Sequence, residues 1–342
     1  MMNAATLQRV SRHDLTSFLL QVLADAPAEM AVDAIDLRFW EAALLDPAHE
    51  ILRRPGKEFR SQIFESSWVL AGGVPGEHPQ GLQLVVELLH VGSLVIDDIE
   101  DDSRTRRGGQ SLHRRFGVPV ALNTGNWLYF LPMAMLPRLG LSPELTLQLF
   151  TDIADAVVLC HQGQALDLAA PVAKLTQAEI PLVVMQATQL KTGSLMRLAA
   201  VMGARAGGAA GAQLEALARF GTLLGLGLQM LDDWSGIAVS ARRDKGIEDI
   251  RLGRPTWPWA WLAQRADAES YANLVRDTRR TRNDTVAASL IDKLHAHLEA
   301  TAPGEIRRHL HAAVRELRSA LGPSAAMDDL AQQVERLMIA YG

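Results

Sequence analysis

Residues Glu87–Gly109 read ELLHVGSLVIDDIEDDSRTRRGG. The apolar run that begins at Leu82 and reaches Ile96 has the length and composition of a buried helix, and it delivers Asp97, Asp98, Glu100, Asp101 and Asp102 at its C-terminal end. Residues four apart share a helix face, so Asp97 lies beside Asp101, and Asp98 beside Asp102 one step round. Like charges at that spacing repel, and acids at a helix C-terminus also oppose the helix dipole. The bland account is a solvated helix end, but two penalties at one place ask for a positive partner. A hard divalent cation suits them, Mg2+ above all, because Mg2+ ordinarily bridges carboxylates to substrate phosphates. Arg104, Arg106 and Arg107 follow at once, and guanidinium forks match phosphate oxygens. Acids beside arginines point to a metal–diphosphate site.

Outward from this stretch the pattern is helix after helix, punctuated by Gly and Pro and without alternating strand character. The periodicity predicts helices over Leu15–Ala24, Ile35–Leu45, Arg60–Leu70, Gly81–Asp101, Ala121–Arg138 and Glu144–Leu168. It continues with Gln177–Arg205, Ala212–Trp234, Pro258–Arg265, Tyr271–Arg280, Asp284–Glu299, Gly304–Leu321 and Met327–Ile339. Connections such as LGLSPE and TAPGE are turns, not linkers. The expectation is therefore one all-α domain over residues 1–342, a bundle of about a dozen helices. Ser240–Pro258, SARRDKGIEDIRLGRPTWP, reads as a long polar surface loop and a candidate lid.

Composition agrees and excludes several classes. Of the 342 residues, 48% are hydrophobic and only 5% aromatic, which favours helices over sheets. A net charge of −5 argues against a nucleic-acid partner. Cys160 is the single cysteine, which rules out an internal disulfide and fits a cytoplasmic, reducing setting. The N-terminus reads as no secretory signal. Phe116–Pro137 carries no formal charge, but Pro119, Asn123, Thr124, Asn126 and Pro132 suit a buried helix better than a membrane span.

A second apolar helix, LGLQMLDDWSG, ends in Asp232 and Asp233. Two acidic helix ends in one all-α chain make a two-sided clamp possible. Basic residues stand in reserve at Lys57 and Arg60, at Lys191, and at Lys245 and Arg254. Lys191 interrupts an apolar helix ahead of Thr192 and Gly193, whose weak helix propensity permits a local kink. Gln229, one turn before Asp232, faces with the acids. His90, two helical turns before Asp97, is either a satisfied core imidazole or part of the site.

These segments together resemble the trans-isoprenyl diphosphate synthases. DDIEDDSRTRRG is similar to that family's first aspartate-rich motif and QMLDDWSG to its second, while GKEFR, LLHVGSLVIDD, HQGQALDL, KTGSLMRLA and EDIRLGRPTWP follow the family order. Within the family, IDDIED, TGNWLYF and KTGSLMRL resemble the eukaryotic-type geranylgeranyl diphosphate synthases. The resemblance implies an isoprenoid synthase fold, all-α around a central hydrophobic cavity, working as a homodimer. It implies Mg2+-dependent condensation of isopentenyl diphosphate with an allylic diphosphate, with geranylgeranyl diphosphate the expected product. Asp97, Asp101 and Asp232 would ligate Mg2+, with Asp98 and Asp233 supporting. Lys57, Arg60, His90 and Arg107 would hold isopentenyl diphosphate. Arg106, Lys191 and Lys245 would hold the allylic diphosphate, with Thr192 and Gln229 lining the reacting centre.

One position departs from the pattern: Gly236 stands where most members carry a third Asp, and it supplies no oxygen. The small Gly92 and Ser93, before the first acids, would leave the product tunnel open to twenty carbons or more. Trp127, Tyr129 and Phe130 would form its floor or serve as ordinary core aromatics. Two other readings use the same resemblance: a terpene cyclase that ionises a prenyl diphosphate without isopentenyl diphosphate, and a non-catalytic partner subunit of a synthase.

Overall fold

The apolar run before the acids is the helix Leu82–Glu100. Its Leu88, Val91 and Val95 recur at helical spacing, are at most 1% exposed, and join a core with Leu44, Leu45, Ile51, Leu52, Leu112, Leu128 and Leu131. The uncharged stretch supplies the helix packed against it, Val118–Met135, with Pro119 in the first turn, where a missing N–H costs little. Among the described residues no helix is long and apolar enough to cross a membrane.

Two glycines set how closely these helices cross. A Cβ on Gly92 would stand 2.9 Å from the Gly125 carbonyl oxygen, and one on Gly125 would stand 2.8 Å from Ile96 Cδ1. Gly92 is thus spent on a helix–helix contact and leaves no open tunnel wall, which corrects the expectation for that residue.

The computed structural model describes residues 10–25, 36–278 and 284–341. They divide into two compact units, one drawn from Met1–Glu65 and Pro75–Phe150, the other from Ser66–Val74 and Thr151–Gly342. The first unit holds the helices above with Arg12–Ala24 and a helical run that passes the predicted stop at Leu45. A π turn at Glu41–Leu45 precedes Asp46–Leu52, whose first turn contains Pro47. Widening the turn before proline accommodates its missing donor without ending the helix. A two-residue hairpin, Thr105–Arg106 paired with Gly109–Gln110, is the only strand pairing among the described residues, too short to leave an alternating pattern.

The second unit is built on Gly211–Ala238, packed against Ser194–Ala206 and Ala302–Leu321. The predicted helix Gln177–Arg205 is two helices, Glu179–Thr188 and Ser194–Ala206, joined by a π turn at Gln189–Gly193 where a kink was expected. The predicted loop and lid at Ser240–Pro258 is mostly helix: a 3-10 turn at Ser240–Arg242, Arg243–Leu252, then Trp257–Arg265. Only Gly246 and Ile250 of Arg243–Leu252 are buried, an apolar stripe too thin to register as periodicity. Gly253, at φ +68°, ends that helix in the left-handed conformation. Of the predicted helices, Ile35 at one end and Arg279 and Arg280 at another lie outside the described residues.

Gly92→Ala is expected to lower stability by about 1–3 kcal/mol through overpacking, more than the ~1 kcal/mol that Ala gains over Gly inside a helix. Urea denaturation measures it; an unchanged or raised midpoint would contradict the crossing described.

Candidate active site

In the first unit the acid-bearing helix stops by reversing. Asp101 caps it, Asp102 takes φ +52°, and the chain enters the hairpin through Arg107 (φ +49°) and Gly108 (φ +77°), both left-handed as a type I′ turn requires. The reversal carries Arg106 back onto the helix, where its Nε and Nη2 donate to Asp98 Oδ1 at 2.8 and 2.5 Å and Nη2 lies 3.6 Å from Asp97 Oδ2. Asp98 is 2% exposed. Burial pushes its carboxyl above the ordinary range, with Arg106 opposing. Asp102 instead pairs with Arg114 at 2.5 Å.

The four aspartates therefore divide. Asp98 and Asp102 are taken by arginines, while Asp97 and Asp101, one turn apart, stay partly exposed. Two carboxylates on one helix face leave the remaining positions of a divalent cation to diphosphate oxygens, so this pair fits Mg2+. Among the described residues no three His, Cys, Asp or Glu side chains converge to hold a metal by themselves. Arg106, expected on the allylic diphosphate, is bound to Asp98.

The reversal also sets Arg107 beside the predicted isopentenyl diphosphate residues. Its guanidinium covers Gly56, where a Cβ would lie 3.0 Å from Arg107 Cζ, so the glycine before Lys57 makes room for it. Arg107 Nη1 is buried without a hydrogen-bond partner, and burial lowers the guanidinium's proton affinity while Glu87 raises it. His90 is held well below its usual pKa, by burial first and then by Arg60, Arg107 and Arg106; it is neutral among three cations. Lys57 is exposed, its Nζ 5.9 Å from the Phe59 ring centroid. Ser93 donates Oγ to the His90 carbonyl at 2.7 Å. Trp127 packs on the unit's core and Tyr129 is half-buried. Phe130, however, is 63% exposed; its side chain leaves the helix on the outer face, so it is neither tunnel floor nor core aromatic.

Three residues of this unit went unread in the sequence. Glu87, 1% exposed, accepts from Ser61 N and Oγ at 3.0 and 3.1 Å. Arg54, 7% exposed, pairs with Glu50 at 3.1 Å and donates to the carbonyls of Arg106 and Gln110, each at 2.8 Å. It clasps both strands of the hairpin that carries Arg106 and Arg107. The four-residue spacing of Glu50 and Arg54 was the available signal.

In the second unit, the predicted residues Thr192, Gln229 and Asp233 form a chain. Thr192 Oγ1 donates to Gln229 Oε1, and Gln229 Nε2 donates to Asp233 Oδ1, both at 2.7 Å. The Trp257 amide, first of its helix, donates to Asp233 Oδ2 at 2.9 Å. Burial pushes Asp233 up to about 8 against the lowering effect of that amide. Asp232 pairs with Arg242 at 2.5 Å. Lys191, in the π turn, lies 3.4 Å from Asp167 Oδ2, and Lys245 pairs with Asp249 at 2.8 Å. Burial pushes Asp249 up to about 6 despite Lys245. Asp167 and Asp249 stood inside the family-like segments HQGQALDL and EDIRLGRPTWP without being assigned a role.

Arg54→Met should cost about 2 kcal/mol in chemical denaturation, because Glu50 keeps Arg53 and Arg115 but loses a buried partner. Adding Glu50→Gln should deepen that loss, because Arg53 and Arg115 then lose their carboxylate; a single variant as stable as the parent would deny Arg54 its part in fixing the hairpin.

The polyprenyl synthetase family model matches residues 41–294, well over half of the chain. Two fungal relatives are geranylgeranyl pyrophosphate synthases: that of Fusarium fujikuroi is 33% identical over 221 residues, 64% of this chain and 50% of the relative, and synthase 2 of Zymoseptoria tritici is 34% identical over 227 residues, 65% of each. The alignments thus span half to two thirds of these relatives. The crystal structure of geranylgeranyl pyrophosphate synthase from Corynebacterium glutamicum, complexed with isoprenyl diphosphate and magnesium, superposes with a TM-score of 0.74 at 21% identity and covers 99% of both chains. At that identity it carries the fold alone, and the fold is the all-α one described above. With its acid-ended helices, its cation cluster around His90 and a family match running through both, the chain belongs to the polyprenyl synthetase family.

Proposed function

We propose that this chain is a trans-prenyltransferase that condenses isopentenyl diphosphate with an allylic diphosphate, and that its product is geranylgeranyl diphosphate. The observation that carries the reading is the buried Arg107 Nη1, without a hydrogen-bond partner and seated over Gly56, beside His90 and Arg60. With Arg106 bound to Asp98, Arg60 and Arg107 around His90 make a diphosphate site beside the acids, where a cyclase has no second diphosphate to hold. A partner subunit without activity has no need of the Asp97–Asp101 pair.

Asp97 and Asp101 would hold Mg2+, which when bound offsets diphosphate charge and so improves the allylic leaving group. Arg60, His90, Arg107 and Lys57 fix isopentenyl diphosphate; Lys191 and Lys245 bind the allylic diphosphate, and Thr192 and Gln229 line the reacting carbon. The allylic C–O bond breaks, its electron pair leaving with the diphosphate. The isopentenyl double bond then attacks the allylic cation, and loss of a proton to the departing diphosphate gives a chain five carbons longer. Pre-placed cations stabilise the charge as it develops, and holding both substrates supplies the proximity.

The names of the relatives and the small Ser93 support twenty carbons. The buried Cys160 suits a cytoplasmic enzyme. A homodimer is proposed as well: Val118 (47%), Leu122 (42%) and Phe130 (63%) are exposed at four- and eight-residue spacing on Val118–Met135, a stripe that a second copy can cover. Light scattering should give twice the chain mass and, for Phe130→Asp, the monomer; a monomeric parent would refute this.

The deciding experiment supplies Mg2+ and isopentenyl diphosphate with dimethylallyl, geranyl or farnesyl diphosphate and reads products by mass spectrometry. Geranylgeranyl diphosphate formed only when isopentenyl diphosphate is present is expected, with Ser93→Phe shifting products to fifteen carbons. Hydrocarbons made without isopentenyl diphosphate would make the chain a cyclase, and no turnover by folded protein would make it a partner subunit.

A further inference from the structure

We propose that the second acidic cluster is closed by an internal cation, the Arg242 guanidinium, and takes up no divalent metal of its own. Each of its three positions is accounted for. Both oxygens of Asp233 are engaged inward, by the Trp257 amide at 2.9 Å and by Gln229 at 2.7 Å. Gly236, one turn beyond Asp232, brings no oxygen, and its carbonyl lies 2.1 Å from where a Cβ on Gly246 would stand; the two backbones meet there. Asp232 remains, and Arg242 Nη2 reaches its Oδ1 at 2.5 Å.

That guanidinium is itself held in place. Nη1 donates to Ser235 Oγ at 2.6 Å, Ser235 Oγ donates to the Asp232 carbonyl at 2.8 Å, and Cζ sits 5.0 Å from the Tyr341 ring centroid. The 3-10 turn Ser240–Arg242, two residues past the helix, returns the arginine to the helix end. Arginine carries its charge at every pH a protein survives. The nearby Asp249 and Asp167 are taken by lysines, Lys245 at 2.8 Å and Lys191 at 3.4 Å, and Asp232, shared with such a guanidinium, offers little to Mg2+, which demands near-octahedral oxygen ligands and sheds water reluctantly. The charge that a metal would bring to this side is thus covalently attached to the chain.

The inference rests on the metal–diphosphate reading only in taking Asp97 and Asp101 as metal ligands. Its test is Mn2+ binding to the full chain with inorganic diphosphate, followed by the electron paramagnetic resonance of free Mn2+. Asp232→Asn, and the double variant Asp232→Asn/Arg242→Gln that leaves no unpaired guanidinium, should bind the parent's number of Mn2+ ions with affinity within about twofold, whereas Asp97→Asn should weaken binding about tenfold or more. Loss of a bound ion, or about tenfold weaker binding, in both Asp232 variants would overturn the proposal. The readout needs no prenyl transfer, so a chain without that activity would sink the proposed function and leave this count standing.

Discussion

The ion pair between Arg106 and Asp98 is what the first unit's site depends on. Asp98 lies where the helix periodicity sends it, into the interior, 2% exposed. A carboxylate there without a partner would cost several kcal/mol. The partner is eight residues on and can arrive only if the chain reverses immediately after the helix, which is what the left-handed Asp102, Arg107 and Gly108 accomplish. Arg54 then fixes the hairpin by its carbonyls. Once Arg106 is drawn inward, its neighbour Arg107 is carried to Gly56 and the field of His90.

The second unit solves a similar problem with a helix terminus. Asp233 is buried, and its charge or proton is accommodated by the first amide of Trp257–Arg265 and by Gln229, an acid at a positive helix end. Gln229 is in turn bound by Thr192 from the π turn. Three helical segments are tied through one carboxyl, and the π turn that weakens the ladder at Gln189–Gly193 presents Lys191 to Asp167.

The two DD pairs share a physical logic. Adjacent helix residues point about 100° apart, so a pair at a helix end cannot place both carboxylates in one site. In each pair the second aspartate, Asp98 or Asp233, is buried and structural. The first, Asp97 or Asp232, is partly exposed. What separates the clusters is the third position: Asp101 adds a carboxylate one turn beyond Asp97, while Gly236 adds nothing beyond Asp232, and an arginine fills the deficit.

Much of this was legible in the residues because it is local. Helix periodicity, the acidic ends, the weak turn at Thr192–Gly193 and the basic residues near them follow from spacing and side-chain chemistry within a few turns, and the family resemblance rests on the same segments. What tertiary structure alone decided are the matters of direction and partner. Whether Arg106 faces phosphate or Asp98, whether Gly92 opens a tunnel or seats a helix crossing, whether Phe130 points in or out, and whether 240–258 is loop or helix each depend on groups distant in sequence or on a burial stripe only two residues wide. By itself the sequence determined which chemistry is present and on which helix ends. The fold decided which of those charges neutralise one another, because buried charges must be paired and only the chain's path brings the partners within reach.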